Sequence, residues 1–281
     1  MELTRTRELL PEVIWRESSP STNAELRDLA SAPAGGALPH GTLLVTSNQT
    51  AGRGRLDRGW VTPPDTAIAA SLLVRGFGRS GLGIGWLPLL TGSAMASALQ
   101  PLFGEGMRVG VKWPNDVHVR DEHDAMAGRP GKKLCGILCE LLGDGAVVVG
   151  TGVNLLIPEW ELPTERATSL LAAGADVGAG AEGEEPTLAH DAGRDLADRV
   201  LSAYAAELLR LVDLAAADPD AARSRVARQS LTLGTEVRVH LPGGEIVDGR
   251  ARALADDGSL VVDVPTGGVL TVSAGDVEHL R

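Results

Sequence analysis

The stretch Gln49-Thr50-Ala51-Gly52-Arg53-Gly54-Arg55-Leu56-Asp57-Arg58-Gly59-Trp60 holds three glycines and three arginines within eight residues. Glycine lets backbone N–H groups converge without interference from Cβ, and guanidinium offers a planar fork that pairs with carboxylate or phosphate. The chemistry this implies is an anion clamp. A solvated surface turn and an arginine-rich nucleic-acid arm are the competing readings. Neither explains the bracketing by Gln49 and Trp60 in a chain where 26 basic residues face 37 acidic ones, so the small-anion clamp ranks first. A second cation, Lys133, stands at the mouth of the apolar run Leu134-Cys135-Gly136-Ile137-Leu138-Cys139-Glu140. Such a lysine is either a snorkelling edge residue or a placed charge.

The elements that must position these groups follow from punctuation and periodicity. Ser21-Thr22-Asn23 reads as the N-cap of a helix over Ala24 to Ala30. A loop over 31–40, with Pro33, Gly35, Gly36 and Pro39, precedes a strand from Gly41 to Ser47 that delivers the clamp. Ala67 to Val74 reads as a strand and Leu87 to Leu102 as a core helix. Val109 to Val111 leads into Lys112-Trp113-Pro114-Asn115-Asp116, where proline demands a bend before an alternating strand resumes at Val117 and Val119. Glu122 to Gly131 reads as a polar hairpin loop, and Lys133 to Glu140 with Val147 to Leu155 as a hairpin. Residues 172–190, rich in Ala, Gly and Glu, are expected to be a mobile insert. Leu196, Val200, Tyr204, Leu208 and Leu211 recur at helical steps over Arg194 to Leu211. After about Leu231, short Val/Leu runs separated by Pro242-Gly243-Gly244, Asp256-Asp257-Gly258 and Thr266-Gly267-Gly268 predict a small β-barrel.

Composition sets limits. With 281 residues the chain can bury one large core and a smaller second unit, and 43% hydrophobic with 22% charged residues is the balance of a globular protein. A net charge of -11 argues against DNA as the main partner. The first twenty residues lack a secretory h-region, and no apolar run approaches the ~20 residues of a spanning helix, so a cytoplasmic protein without a membrane partner is expected. Those residues are polar, too short for a separate folded module. Cys135 and Cys139 are too few for a disulfide framework or a zinc site and read as buried, inert thiols.

Three segments carry a resemblance. Gly52, Arg53, Gly54, Arg55, Arg58 and Trp60 match the signature loop of biotin protein ligases, with Asp57 where that family usually has glycine; Lys112-Trp113-Pro114-Asn115-Asp116 and Lys133 with Gly136-Ile137-Leu138 and Glu140 match two further motifs. Gly150-Thr151-Gly152-Val153-Asn154 is similar to the family's segment near the nucleotide. By motif the likeness spans residues 21–155.

The resemblance implies an α+β fold: a mixed β-sheet with flanking helices, class II synthetase-like, over residues 1–228, and a small C-terminal SH3-like β-barrel over 229–281. It implies ATP-dependent conversion of biotin to biotinyl-5′-AMP, then transfer to a lysine of the biotin carboxyl carrier domain of an acyl-CoA carboxylase. Lys133, Arg53 and Asp116 are the implied catalytic residues. Biotin would meet Ser21, Thr22, Asn23, Gln49, Gly52, Arg53, Gly54, Arg55, Lys133 and Gly136; the nucleotide would meet Arg55, Arg58, Trp60, Lys112, Asn115 and Asn154. Magnesium is expected on the triphosphate, with Asp116 as its ligand or organiser and the other ligands unassigned. The nearest alternative is a lipoate-type ligase or acyltransferase, which lacks the Gly-Arg-Gly-Arg loop. The other is a biotin-responsive transcriptional regulator, which the acidic balance and the shortness of residues 1–20 disfavour.

Overall fold

The computed structural model describes residues 1–32, 38–61, 63–79, 81–178 and 186–280. The chain opens with helix α1 (Thr4–Leu9), strand β1 (Val13–Arg16), helix α2 (Thr22–Ala30) and strand β2 (Leu43–Thr46). The glycine/arginine stretch forms a two-stranded ribbon, β3 (Gly52–Arg53) with β4 (Gly59–Trp60), before β5 (Ala67–Val74). Helix α3 (Leu87–Leu99), β6 (Arg108–Lys112), β7 (Asp116–Arg120), helix α4 (Glu122–Met126), β8 (Lys132–Leu141) and β9 (Val147–Asn154) follow. Helices α5 (Asp191–Ala217) and α6 (Pro219–Gln229) lead to β10 (Glu236–His240), β11 (Ile246–Leu254), β12 (Leu260–Asp263), β13 (Val269–Val272) and β14 (Asp276–His279).

Seven strands make one mixed sheet in the order β1-β2-β5-β9-β8-β7-β6, with β1 and β2 parallel and the remaining neighbours antiparallel. β5 and β9 are buried along their whole length, which is why both read as near-continuous apolar runs. On one face Ile68, Leu72, Val149 and Val153 join Leu90 of α3 and Tyr204 and Leu208 of α5 in the main core. On the other, Leu44, Leu73 and Val148 form a smaller cluster with Leu26 of α2. α2 covers only part of that second face, and the uncovered part is where the polar residues converge.

The tail folds as a five-stranded antiparallel sheet in the order β13-β12-β11-β10-β14, the expected SH3-like unit. It is locked to the main sheet. Val237, Val239, Leu260 and Val262 belong to the same continuous core, and Trp113 Nε1 donates to Gly258 O at 3.1 Å. Trp86 Nε1 donates to Asp256 O at 3.0 Å, and a Cβ on Gly85 would meet Asp257 O at 2.3 Å.

Residues 1–20 form no separate module and pack into the sheet domain: Asp198 of α5 accepts from Arg5 N, Thr6 N and Thr6 Oγ1 at 2.9, 3.0 and 2.7 Å, and β1 forms the sheet edge, elements not read from the sequence. Elements of six and four residues are too short to show a period. The helix from Leu87 is α-helical to Leu99 and finishes as a 3₁₀ turn over Gln100–Leu102, where Pro101 removes a donor. The supposed loop after Arg120 contains α4, capped by Asp121 accepting from Asp124 N at 2.7 Å. α5 extends beyond Arg194 to Leu211 in both directions, and α6, capped by Asp218 with Pro219 in its first turn, was not anticipated. Of the predicted insert, residues 179–185 lie outside the described residues, as do 33–37 of the loop over 31–40.

Candidate functional site

A cavity of about 910 Å³ opens on the uncovered sheet face, between the β3–β4 ribbon, the N-terminus of α2 and β14. Its floor is glycine by necessity. Gly136 and Gly152 are cross-strand partners on β8 and β9; a Cβ on Gly152 would lie 2.2 Å from Trp60 Cε2, and one on Gly136 2.9 Å from Trp60 Cζ3. At Gly150 a Cβ would lie 2.2 Å from Asn23 Oδ1. The three glycines thus admit an indole and an α2 side chain flat against the sheet.

One wall is a hydrogen-bonded polar cluster. Ser21 caps α2, accepting from Ala24 N. Gln49 Oε1 accepts from Thr22 N at 3.0 Å, Ser71 Oγ reaches Asn23 Oδ1 at 2.7 Å, and Asn23 Nδ2 donates to Glu140 Oε2 at 2.7 Å. All of Ser21, Thr22, Asn23 and Gln49 line the cavity.

The ribbon supplies the guanidiniums, each held by a different part of the fold. Arg53 stands 3.8 Å from Glu140 Oε1, Arg55 NH1 donates to Asn115 Oδ1 at 3.1 Å, and Arg58 pairs with Asp276 of β14. Asn115 is itself fixed, donating to Ile137 O at 2.6 Å. Leu56, at the ribbon's crest, adopts φ +54° and is exposed. The predicted site residue Gly52 is not part of the lining. It is a close-approach glycine, whose Cβ would fall 2.3 Å from Trp60 O.

Lys133 faces the same cavity, 2.7 Å from Asp116 Oδ1 and 5.5 Å from the Trp60 ring. A β-bulge puts it there. β7 and β8 pair Asp116 with Gly136 and Val117 with Cys135, but His118 with Lys133, so Leu134 is skipped and turns with Cys135 into the core. Burial would raise the Asp116 carboxyl, but the charges of Lys133 and Lys112 oppose it and hold the group well below the ordinary carboxylate range. Lys112 Nζ donates to Val277 O at 2.8 Å, and burial lowers its pKa. Burial also keeps His118 neutral and pushes His279 down to about 3. Eight cations and five carboxylates line the cavity, a positive basin in an acidic chain.

Asn154, like Gly52, is a predicted residue that the structure does not bring into the lining. It is buried off the lining, its Nδ2 donating to Thr168 O at 2.8 Å, so it braces the turn after β9. Glu140, Ser71, His118 and Asp276 had no assigned role. A serine inside the apolar run Ala67 to Val74 and a histidine between Val117 and Val119 were the available signals; Asp276 gave none, because only the packing of the tail brings it near. Of the two thiols expected to be buried, Cys135 is buried and Cys139 half-buried; their surroundings raise Cys135 strongly and push Cys139 up to about 12.

A protein-built magnesium cage does not fit. Asp116 is committed to Lys133, and the exposed group Asp121, His123 and Asp124 is faced by Arg129, whose Nε donates to Asp124 at 2.7 Å. No helix among the described residues is long and apolar enough to cross a membrane.

Comparison with known proteins adds to this geometry. Residues 17–155 match the family model "Biotin/lipoate A/B protein ligase family", and residues 232–280 match "Biotin protein ligase C terminal domain". A biotin--[acetyl-CoA-carboxylase] ligase of Mycobacterium tuberculosis is 39% identical over 273 residues, covering 95% of this chain and 90% of the relative. The bifunctional ligase/repressor BirA of Bacillus subtilis is 31% identical over 166 residues, 56% of this chain and 46% of that protein. In fold the chain is similar to a biotin protein ligase from Aquifex aeolicus solved with biotin and ATP: TM-score 0.68, 24% identity, 97% of this chain and 100% of the other.

Proposed function

The chain belongs to the biotin/lipoate A/B protein ligase family, and on that premise we propose that it activates biotin with ATP and transfers it to a lysine of the biotin carboxyl carrier domain of acetyl-CoA carboxylase. The observation that supports this most directly is the convergence of Arg53, Arg55 and Lys133, from two separate segments, on one cavity walled by Ser21, Thr22, Asn23 and Gln49. A lipoate-type reading has no use for that Gly-Arg-Gly-Arg ribbon.

A carboxylate is a poor acyl donor, so it must gain a leaving group before an amine can attack it. In the first step a biotin carboxylate oxygen bonds to the α-phosphorus of ATP and the bond to the β-phosphate oxygen breaks, giving biotinyl-5′-AMP and pyrophosphate. In the second, the neutral amine of the acceptor lysine attacks the carbonyl carbon, AMP leaves on its phosphate oxygen, and the amine's proton goes to solvent. Lys133 stabilises charge gathering on the α-phosphoryl group, and fixed cations of this kind favour the transition state over the ground state. Arg53 and Arg55 hold carboxylate and phosphate together; Arg58, Trp60, Lys112 and Asn115 serve the nucleotide side. Ser21, Thr22, Asn23 and Gln49, with the Gly54 and Gly136 backbone, orient biotin. Asp116 orients Lys133, and magnesium comes with the triphosphate as part of the co-substrate. A cytoplasmic enzyme that does not depend on DNA or membrane fits this activity.

The test is incubation with ATP, magnesium and labelled biotin, with and without a biotin-acceptor domain. Biotin-dependent pyrophosphate release and label on the acceptor are expected. Release driven by lipoate or octanoate and not by biotin would refute the assignment.

A further inference from the structure

His118 is a polar group for which the mechanism above has no use. Its side chain is more than nine-tenths buried yet lines the cavity, on the same face of β7 as Asp116 and in register with Lys133 across the β-bulge. Nδ1 lies 3.2 Å from the Gly131 carbonyl, which can only accept, so that nitrogen carries the ring proton. Gly131 is built for the contact: its φ is +74°, and a Cβ there would meet Val119 O at 2.0 Å. Nε2 is then a bare lone pair with no hydrogen-bond partner among the described residues, 3.9 Å from Asp116 Oδ2. Asp116 thus stands between two groups: Lys133, ion-paired with one oxygen at 2.7 Å, and His118, 3.9 Å from the other.

Resting on the activity just proposed, we infer that His118 is a positioning residue for adenylation, the alternate partner that takes Asp116 when Lys133 leaves it for the ligand's anion. Lys133 cannot serve both at full strength, because its departure strips a largely buried carboxylate of its counter-charge, which is costly. A neutral imidazole has one N–H and can supply it. Nδ1 gives its proton to solvent, Nε2 takes one up, and the ring remains neutral while its donor passes from Gly131 O to Asp116. A rotation of Asp116 closing about 1 Å completes a normal hydrogen bond. The other charged or titratable groups around His118 are Lys112 of β6 and His279 of β14; Lys112 favours an ionised Asp116, and burial keeps His279 neutral. Leucine at 118 would fill the space and supply no donor, so Lys133 would stay on Asp116.

The test compares wild type, His118→Leu and His118→Gln by biotin-dependent pyrophosphate release without acceptor, at matched folded fraction. For His118→Leu a kcat lower by at least about ten-fold is expected, with KM for biotin and ATP moving less than about three-fold, because the lost interaction forms only as charge develops. Glutamine, whose amide reaches Asp116, restores most of the rate. In nitrogen-15 spectra of labelled wild type, the His118 ring proton is expected on Nδ1 in the free protein and on Nε2 with biotinyl-5′-AMP bound. Equal kcat in wild type and His118→Leu, glutamine no better than leucine, or an unchanged tautomer on loading would each overturn the inference. The spectra decide the matter even if the leucine variant does not fold. No pyrophosphate from wild type would instead count against the activity itself.

Discussion

Replacing Lys133 by methionine keeps its length and apolar stem while removing the charge, and two linked effects follow. The pair with Asp116 spans 2.7 Å, with the two side chains 31% and 20% exposed. Removing one partner of a fully buried pair costs 3–5 kcal/mol; here partial solvation and the nearby Lys112 charge reduce this to about 1–3 kcal/mol. The loss should depend on pH. Asp116 titrates below its ordinary value of 3.8 in the folded protein, so its stabilisation is present above that value and fades as pH falls. Without Lys133, burial has less opposition and the carboxyl moves up, so acidification protonates it and relieves the variant. The stability gap between wild type and Lys133→Met is therefore largest at neutral pH and narrows below about pH 4. In the same variant, loss of one preorganised cation at the α-phosphoryl group should slow pyrophosphate release about 10²–10³-fold. Urea denaturation at several pH values measures the first effect and single-turnover adenylation the second. A gap that widens on acidification, or near-normal adenylation, would refute the role given to this lysine.

Other consequences are briefer. Arg55→Gly frees the ribbon from Asn115, and the variant should leak biotinyl-5′-AMP, read as label spreading onto bystander proteins; retention as tight as wild type would count against the clamp. Gly152→Ala puts a methyl where the Trp60 indole lies, so tryptophan fluorescence and biotin affinity should both change while stability falls by no more than about 1–2 kcal/mol. Asn23→Ala removes the hydrogen bonds to Glu140 and Ser71, which keep Arg53 and Thr22 as partners, so it should cost about 1 kcal/mol and weaken biotin binding, to be measured by calorimetry. Cys135 of the native protein should resist thiol reagents at pH 8, since it is buried and its thiol is held protonated; its rapid labelling without unfolding would contradict that burial.

Residue types and local spacing were enough to single out the glycine/arginine ribbon, the Ser21 cap, the Lys112 to Asp116 bend and most strands, because glycine/arginine density, capping hydroxyls and apolar runs act over a few residues. The short elements before Ser21, helix α4 and helix α6 were invisible, since their stability comes from partners far along the chain, such as Asp198 for α1. The most consequential decision was tertiary. Simple alternation along β8 places Lys133 on the side of Cys135 and Ile137, facing the core; the skipped residue at Leu134 reverses that parity and aims the ammonium at Asp116. Likewise only the packing of the C-terminal sheet carries Asp276 to Arg58, and only the register of β8 on β9 sets Gly136 beside Gly152 as a floor for an indole. The sequence by itself supplied the charges and the joints. Which way each charge points was decided by strand register and by the docking of distant segments, neither of which a local stretch of residues encodes.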